Sequence, residues 1–218
     1  MLSWSKVKFS GGKITMRNCI TFYVYTILIV ILNLITMTPS ISYALSDIYG
    51  DKIYDAGELK PIDSQLKVKI GDSAPDFTLK AISGNTITLS QFREKKNVML
   101  TFIPAAWTPV CSDQWPGYNN IAKGLFEAHD TVILGISIDN LPTLFAWTHQ
   151  MGELWFEVLS DFWPHGEVAD SYGILRGDGV AERAIFLIDK RGVLRFIHVS
   201  DINVRADLGQ IVKAMENI

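Results

Sequence analysis

The chain has 218 residues, with 20 Lys and Arg against 23 Asp and Glu, and is 48% hydrophobic and 20% charged; this excludes a disordered chain and suits one domain plus an appendage. Residues 1–44 hold four basic residues (Lys6, Lys8, Lys13, Arg17) and no acidic one, which leaves 16 basic against 23 acidic residues, a formal charge of −7, on residues 45–218. So acidic a body, with no Lys/Arg cluster, gives no footing for counterion-release binding and excludes a nucleic-acid partner.

From Asn18 to Ser46 there is no charge, and Ile20–Met37 is strongly apolar. Basic residues ahead of this run orient the N-terminus toward the cytoplasm. Pro39 breaks the run, and Ser42-Tyr43-Ala44 sets small residues where a signal peptidase reads them. The apolar core is longer than the roughly 7–15 residues of a secretory signal and close to the ~20 of a membrane span. Two outcomes therefore stay open for residues 1–44: cleavage after Ala44 as a signal peptide, or retention of an N-terminal hydrophobic helix as a membrane anchor. Both put residues 45–218 outside the cytoplasm, in a periplasm or on the outer face of the inner membrane. An exported domain normally pairs its cysteines, yet Cys111 is the one Cys of this part, since Cys19 belongs to the apolar run. A leftover thiol there is either hidden or used.

Residues 45–65 read as a polar lead-in linker punctuated by Gly50, Gly57 and Pro61, and residues 66–218 as the domain. Gly71–Leu79 opens it, Ser83-Gly84-Asn85 turns, and Thr86–Leu89 alternates, so a hairpin is predicted. Ser90 caps a short helical turn. Val98–Ile103 is a continuous apolar run that predicts a buried strand, stopped by Pro104.

Thr108-Pro109 is a helix-start signal, an N-cap oxygen followed by Pro at the first helical position. Cys111 then lies in the first turn, where unpaired N–H groups and the positive end of the helix dipole favour a thiolate. The plain alternative is that Cys111 is a small buried hydrophobe. Pro116 should kink or restart the helix, and Tyr118, Ile121, Ala122, Leu125 and Phe126 share a helical face up to about His129.

Val132–Ile138 is a second buried strand, Pro142–Met151 a helix stopped by Gly152, Phe156–Leu159 a short strand, and Pro164–Tyr172 a short helix. Ala184–Ile188 and Val193–Val199 form a hairpin about Asp189–Gly192, and Ala206 to about Glu216 closes the chain as an amphipathic helix. Strands separated by helices, then an antiparallel hairpin, predict a three-layer α/β sandwich with a central mixed sheet. The four His residues lack zinc-ligand spacing with each other or with Cys111, so no metal is expected.

The pattern Pro104-x-x-x-Thr108-x-x-Cys111 at a strand-to-helix junction resembles the signature of peroxiredoxins, thiol peroxidases of thioredoxin-like fold. Three further pieces resemble the family in its own order: Gly71-Asp72-x-Ala74-Pro75-Asp76-Phe77, Val158-Leu159-Ser160-Asp161 ahead of Tyr172-Gly173, and Arg183–Asp189. The resemblance covers about residues 66–218. It implies that Cys111 attacks a peroxide oxygen and becomes sulfenic acid, and that Arg183 stabilises the charge. By spacing alone, Arg183 is an ordinary strand-edge residue pairing with Glu182 or solvent. The resemblance also implies that Thr108 orients sulfur or peroxide, that Pro104 walls the pocket, and that Trp107 stands where another aromatic is usual and bears on substrate size. Capping alone remains the other reading of Thr108, and strand termination that of Pro104.

The family often carries a resolving Cys, and residues 45–218 have none, so the chain resembles the one-cysteine type. No cofactor is then called for, and an external thiol, small or thioredoxin-like, would reduce the sulfenic acid. Trp107, Trp115, Trp147, Trp155 and Trp163 are candidates for a homodimer interface, with core packing as the alternative. Reduction of hydrogen peroxide and organic hydroperoxides through Cys111 is the function expected. A thiol–disulfide exchange protein on the same fold would want Cys-x-x-Cys, and Gln114 stands at the second position. A membrane-tethered redox sensor is the remaining reading.

Overall fold

A computed structural model describes residues 49–121 and 123–218. The expected signal peptide or anchor, and Cys19 with it, lie outside the described residues. No helix among the described residues is long and apolar enough to cross a membrane.

Seven strands form one mixed sheet in the order β2-β1-β5-β4-β3-β6-β7. β1 (Thr78–Ala81) and β2 (Thr86–Thr88) make the first hairpin, and β3 (Asn97–Phe102) runs parallel to β4 (Thr131–Ser137), which runs parallel to β5 (Glu157–Ser160). β6 (Ala184–Ile188) is antiparallel to β3, and β7 (Leu194–Val199) is antiparallel to β6. Between the strands lie α1 (Pro109–Ile121), α2 (Lys123–Ala128), α3 (Leu141–Met151) and α4 (Glu167–Tyr172), and α5 (Leu208–Met215) follows the last strand.

The central strands bury both faces, so their sequences are apolar throughout and only the pleat sorts their side chains. Val98, Leu100 and Phe102 of β3, with Ala184, Phe186 and Ile188 of β6, join the core under α4. Met99, Ile185 and Leu187 face the other way, into a second core with Trp115, Phe126, Leu144, Trp147, Ile211 and Met215 from α1, α2, α3 and α5. The result is the three-layer α/β arrangement expected from the sequence. Gly135 of β4 makes room for an aromatic ring. A Cβ there would lie 2.8 Å from the Trp115 side chain, so the bare backbone seats the indole.

Of the two outcomes expected at Pro116, a kink or a restart, the helix does not restart there: it runs on through Pro116 to Ile121. A proline inside a helix costs one backbone bond, and the buried Trp115 and Tyr118 on either side of it hold the turn in the second core.

The segment expected as a linker is fastened to the domain. The Ile202 amide donates to the Pro61 carbonyl (3.0 Å) and the Asp63 amide to the Glu182 carboxylate (2.6 Å), and just past the segment the Lys67 amide donates to the Tyr172 carbonyl (3.2 Å).

Candidate active site

Sheet topology builds the site. β3 and β6 are antiparallel neighbours with Phe102 opposite Ala184. The loop leaving β3 and the residue entering β6 therefore meet at one end of these two central strands, bringing Cys111 and Arg183 together across 72 residues of sequence. The loop between β3 and α1 is pinned from β4's end: the Ala106 amide donates to Asp139 Oδ2 (2.7 Å), which also accepts from the Ser137 hydroxyl (2.6 Å).

Cys111 lies in the first turn of α1, one residue before Ser112, whose amide donates the 3.0 Å bond to the Thr108 carbonyl that closes that turn. The amides ahead of Ser112 have no partner inside the helix and face outward from its positive end. Cys111 is only 1% exposed and borders a cleft of about 830 Å³.

Arg183, 2% exposed, reaches the sulfur with Nη2 at 3.4 Å. Its Nη1 donates to Gln114 Oε1 (2.6 Å), and Nε and Nη2 donate to the Ile202 carbonyl (3.3 and 3.0 Å). Gln114 is itself fixed, its amide nitrogen donating to Thr101 Oγ1 (3.2 Å) and Tyr118 Oη (3.1 Å). The neighbouring Glu182 carboxylate is taken instead by Arg176 Nη1 (2.9 Å) and by the Asp63 amide (2.6 Å), so Glu182 is not the partner of Arg183 that spacing alone suggests.

Cys111, Thr108, Arg183 and Pro104 all border the one cleft. The Thr108 hydroxyl donates its proton to the Ala105 carbonyl (2.9 Å) and so faces back along the loop. Trp107 is not among the cleft's lining residues. Its backbone has φ +61°, a left-handed conformation that a bulky residue seldom adopts, and its ring packs edge-on against Tyr49 with centroids 6.2 Å apart.

Sequence reasoning missed three features. Gln114 was legible as the residue one helical turn beyond Cys111. The Ile202 carbonyl, and the cleft wall formed by Tyr54–Leu59, carry no sequence signal.

A scattered charge and a lone thiol recur across many folds, so comparison with known proteins adds what geometry alone does not. The chain matches a family model described as the AhpC/TSA family over residues 70–197. It is 38% identical over 130 residues to alkyl hydroperoxide reductase E of Mycobacterium tuberculosis, covering 59% of this chain and 84% of that protein. It is 32% identical over 162 residues to the chloroplastic 2-cysteine peroxiredoxin of Chattonella marina var. antiqua, covering 70% of this chain and 82% of the relative. Among solved structures, AhpC of Mycobacterium tuberculosis superposes with a TM-score of 0.62 at 26% identity, covering 68% of this chain and 92% of that one. The reduced 2-Cys peroxiredoxin of Plasmodium vivax superposes with a TM-score of 0.63 at 27% identity, covering 67% and 80%.

Proposed function

The chain belongs to the AhpC/TSA family and is a peroxiredoxin, a thiol-dependent peroxidase of thioredoxin-like fold; from that premise we propose that Cys111 is its peroxidatic sulfur. The observation that carries this reading is the Arg183 Nη2 to Cys111 Sγ contact of 3.4 Å at a helix start bordering a cleft.

The thiolate attacks the distal oxygen of a hydroperoxide, the S–O bond forms as the O–O bond breaks, and the leaving alkoxide or hydroxide departs as alcohol or water once protonated. Arg183 offers a fixed cation to the thiolate before the reaction and to the charge spreading over both oxygens during it. Thr108, which lines the same cleft as Cys111, orients sulfur or peroxide through its hydroxyl oxygen, which accepts as well as donates. Pro104 supplies an apolar wall with no N–H of its own. Hydrogen peroxide and organic hydroperoxides are the proposed substrates.

The chain works as a one-cysteine peroxiredoxin: the sulfenic acid meets no second Cys in residues 45–218 and is reduced by an external thiol. Residues 1–44 direct the domain out of the cytoplasm, as a cleaved signal or a retained anchor, on the strength of their charge and apolar pattern. The isolated domain is residues 66–218, with 45–65 leading into it, and a homodimer is its proposed assembly.

The test is peroxide consumption by the full chain with added thiols, against Cys111→Ser. We expect turnover from the first and none from the second; equal consumption by both overturns the assignment. Alkaline phosphatase fused after residue 218 should be active if the export reading holds, and inactive if the domain stays inside.

A further inference from the structure

The segment ahead of the first strand is part of the site. Tyr54–Leu59 lines the cleft onto which Cys111 opens. Its fastenings are specific. The Tyr54 amide donates to the Trp107 carbonyl (2.8 Å), which ties the segment to the strained residue of the catalytic loop. The Leu59 amide donates to Asn203 Oδ1 (2.9 Å), and Asn203 Nδ2 donates back to the Leu59 carbonyl (2.8 Å). Asn203 thus reads the backbone of Leu59 as a strand neighbour would. Just beyond, Arg176 Nη2 donates to the Lys60 carbonyl (3.1 Å). Residue 202, which precedes the clasp, carries the carbonyl that receives Arg183.

A cleft of about 830 Å³ matches the size of a small-molecule site. A thiol that reduces a sulfenic acid must bring its own sulfur into contact with Cys111, because the disulfide it forms is only about 2 Å long. A low-molecular-weight thiol enters the cleft and does so. A protein dithiol presents its sulfur on a broad surface, and the Tyr54–Leu59 wall holds that surface away from Cys111, a residue that is 1% exposed.

On the reading that Cys111 is oxidised to sulfenic acid, we infer that Tyr54–Leu59, clasped by Asn203, is the specificity wall of the second half-reaction. It admits low-molecular-weight thiols and excludes protein dithiols until the clasp is released. The chemistry balances with that thiol as reductant. One thiolate attacks the sulfenic sulfur, forming S–S and breaking S–O, and the hydroxide leaves as water with one proton. A second thiolate attacks the mixed disulfide, releasing the small disulfide and the Cys111 thiolate. Two thiols are oxidised and one sulfenic acid is reduced.

The experiment compares the full wild-type chain with Asn203→Ala. After one equivalent of hydrogen peroxide, reduction of Cys111 is timed with cysteamine and with reduced thioredoxin at equal thiol concentration. In a separate arm, reduced Cys111 is alkylated with iodoacetamide and with a 5-kDa maleimide polymer, and its own peptide is read by mass spectrometry apart from Cys19. Release of the clasp should raise the thioredoxin-to-cysteamine rate ratio at least tenfold, and the polymer-to-iodoacetamide ratio likewise, with faster amide exchange across residues 54–63. Asn203→Asp, which loses the donor to the Leu59 carbonyl and sets a second carboxylate beside Asp201, should act in the same direction and serves if the first variant fails to fold. Unchanged size ratios overturn the wall, whether or not amide exchange speeds up. A polymer ratio that rises although no sulfenic acid forms keeps the wall and removes the peroxidase role of Cys111.

Discussion

Every acceptor around the Arg183 guanidinium is either neutral or the sulfur itself: Gln114 Oε1, the Ile202 carbonyl and Cys111 Sγ. A carboxylate in the place of Gln114 would take up much of the cation's charge. An amide oxygen orients the guanidinium and leaves its charge for the thiolate and for the transition state. Gln114→Glu should therefore slow oxidation of Cys111 by about tenfold, a change of about 1.4 kcal/mol in the barrier, read by stopped-flow tryptophan fluorescence against hydrogen peroxide. An equal or faster rate would show that the neutrality of this position is incidental. Arg183→Ala removes both the charge and the donor and should cost on the order of 10²–10³ in rate, the usual penalty for losing one preorganised donor. Arg183→Lys should fall between, since an ammonium keeps the charge but cannot hold Gln114 and Ile202 with one rigid fork. A circular dichroism spectrum like that of the wild type is the control that the loss is chemical.

At the scale of elements, α4 depends on a residue outside itself. Asp161 accepts from the Val168 amide (3.1 Å) and the Ala169 amide (2.9 Å), capping the helix from the end of β5. Burial outweighs those two donations and pushes its carboxyl up from 3.8 to about 6. The native state then holds this proton more tightly than the unfolded chain, where an Asp titrates near ~3.9. Its contribution is present in full below about pH 4 and is lost as pH rises through about 6, a difference on the order of 2–3 kcal/mol. Urea titrations of wild type and Asp161→Asn should show their stability difference falling between pH 4 and 7 and level above it; a level difference throughout would contradict the buried carboxyl.

The other end of α4 meets the lead-in. A Cβ at Gly173 would lie 2.2 Å from the Lys67 amide nitrogen and 2.4 Å from the Gln65 carbonyl, and the residue has φ +75°. Gly173→Ala should destabilise by about 3 kcal/mol or more, from left-handed strain plus overpacking, and a shift in the urea midpoint checks it. Elements such as β3, β4 and β6 were legible because continuous apolar runs of strand length have few other readings. The persistence of α1 through Pro116 was not, because the packing that outweighs a lost backbone bond comes from β4 and α3, far away in sequence.

For the whole molecule, the same division runs through the site. Pro104, Thr108 and Cys111 sit within eight consecutive residues, and their arrangement follows from local rules for strand ends and helix starts. Arg183 needs the β3–β6 register to reach the sulfur, so only resemblance to a family motif pointed to it. The wall at Tyr54–Leu59 has no periodicity at all; it is held by residues such as Asn203, 144 positions beyond Leu59. A segment secured by side chains from the far end of the chain looks like a linker until the fold is closed. This has a consequence for stability. The fastenings through Leu59, Lys60, Pro61 and Asp63 each contribute about 1 kcal/mol net, and the segment also covers the buried Arg176–Glu182 pair, whose side chains are 2% and 0% exposed. Opening that pair to water on one side weakens it further, since an ion pair is screened once solvent reaches it. A chain beginning at Leu66 should therefore be less stable than one beginning at Leu45 by about 3–5 kcal/mol, a large share of the 5–15 kcal/mol typical of a domain. Urea denaturation of the two chains side by side measures this. Coincident midpoints would mean that the lead-in rests on the domain without stabilising it, and that the cleft can lose its wall at no cost to the fold.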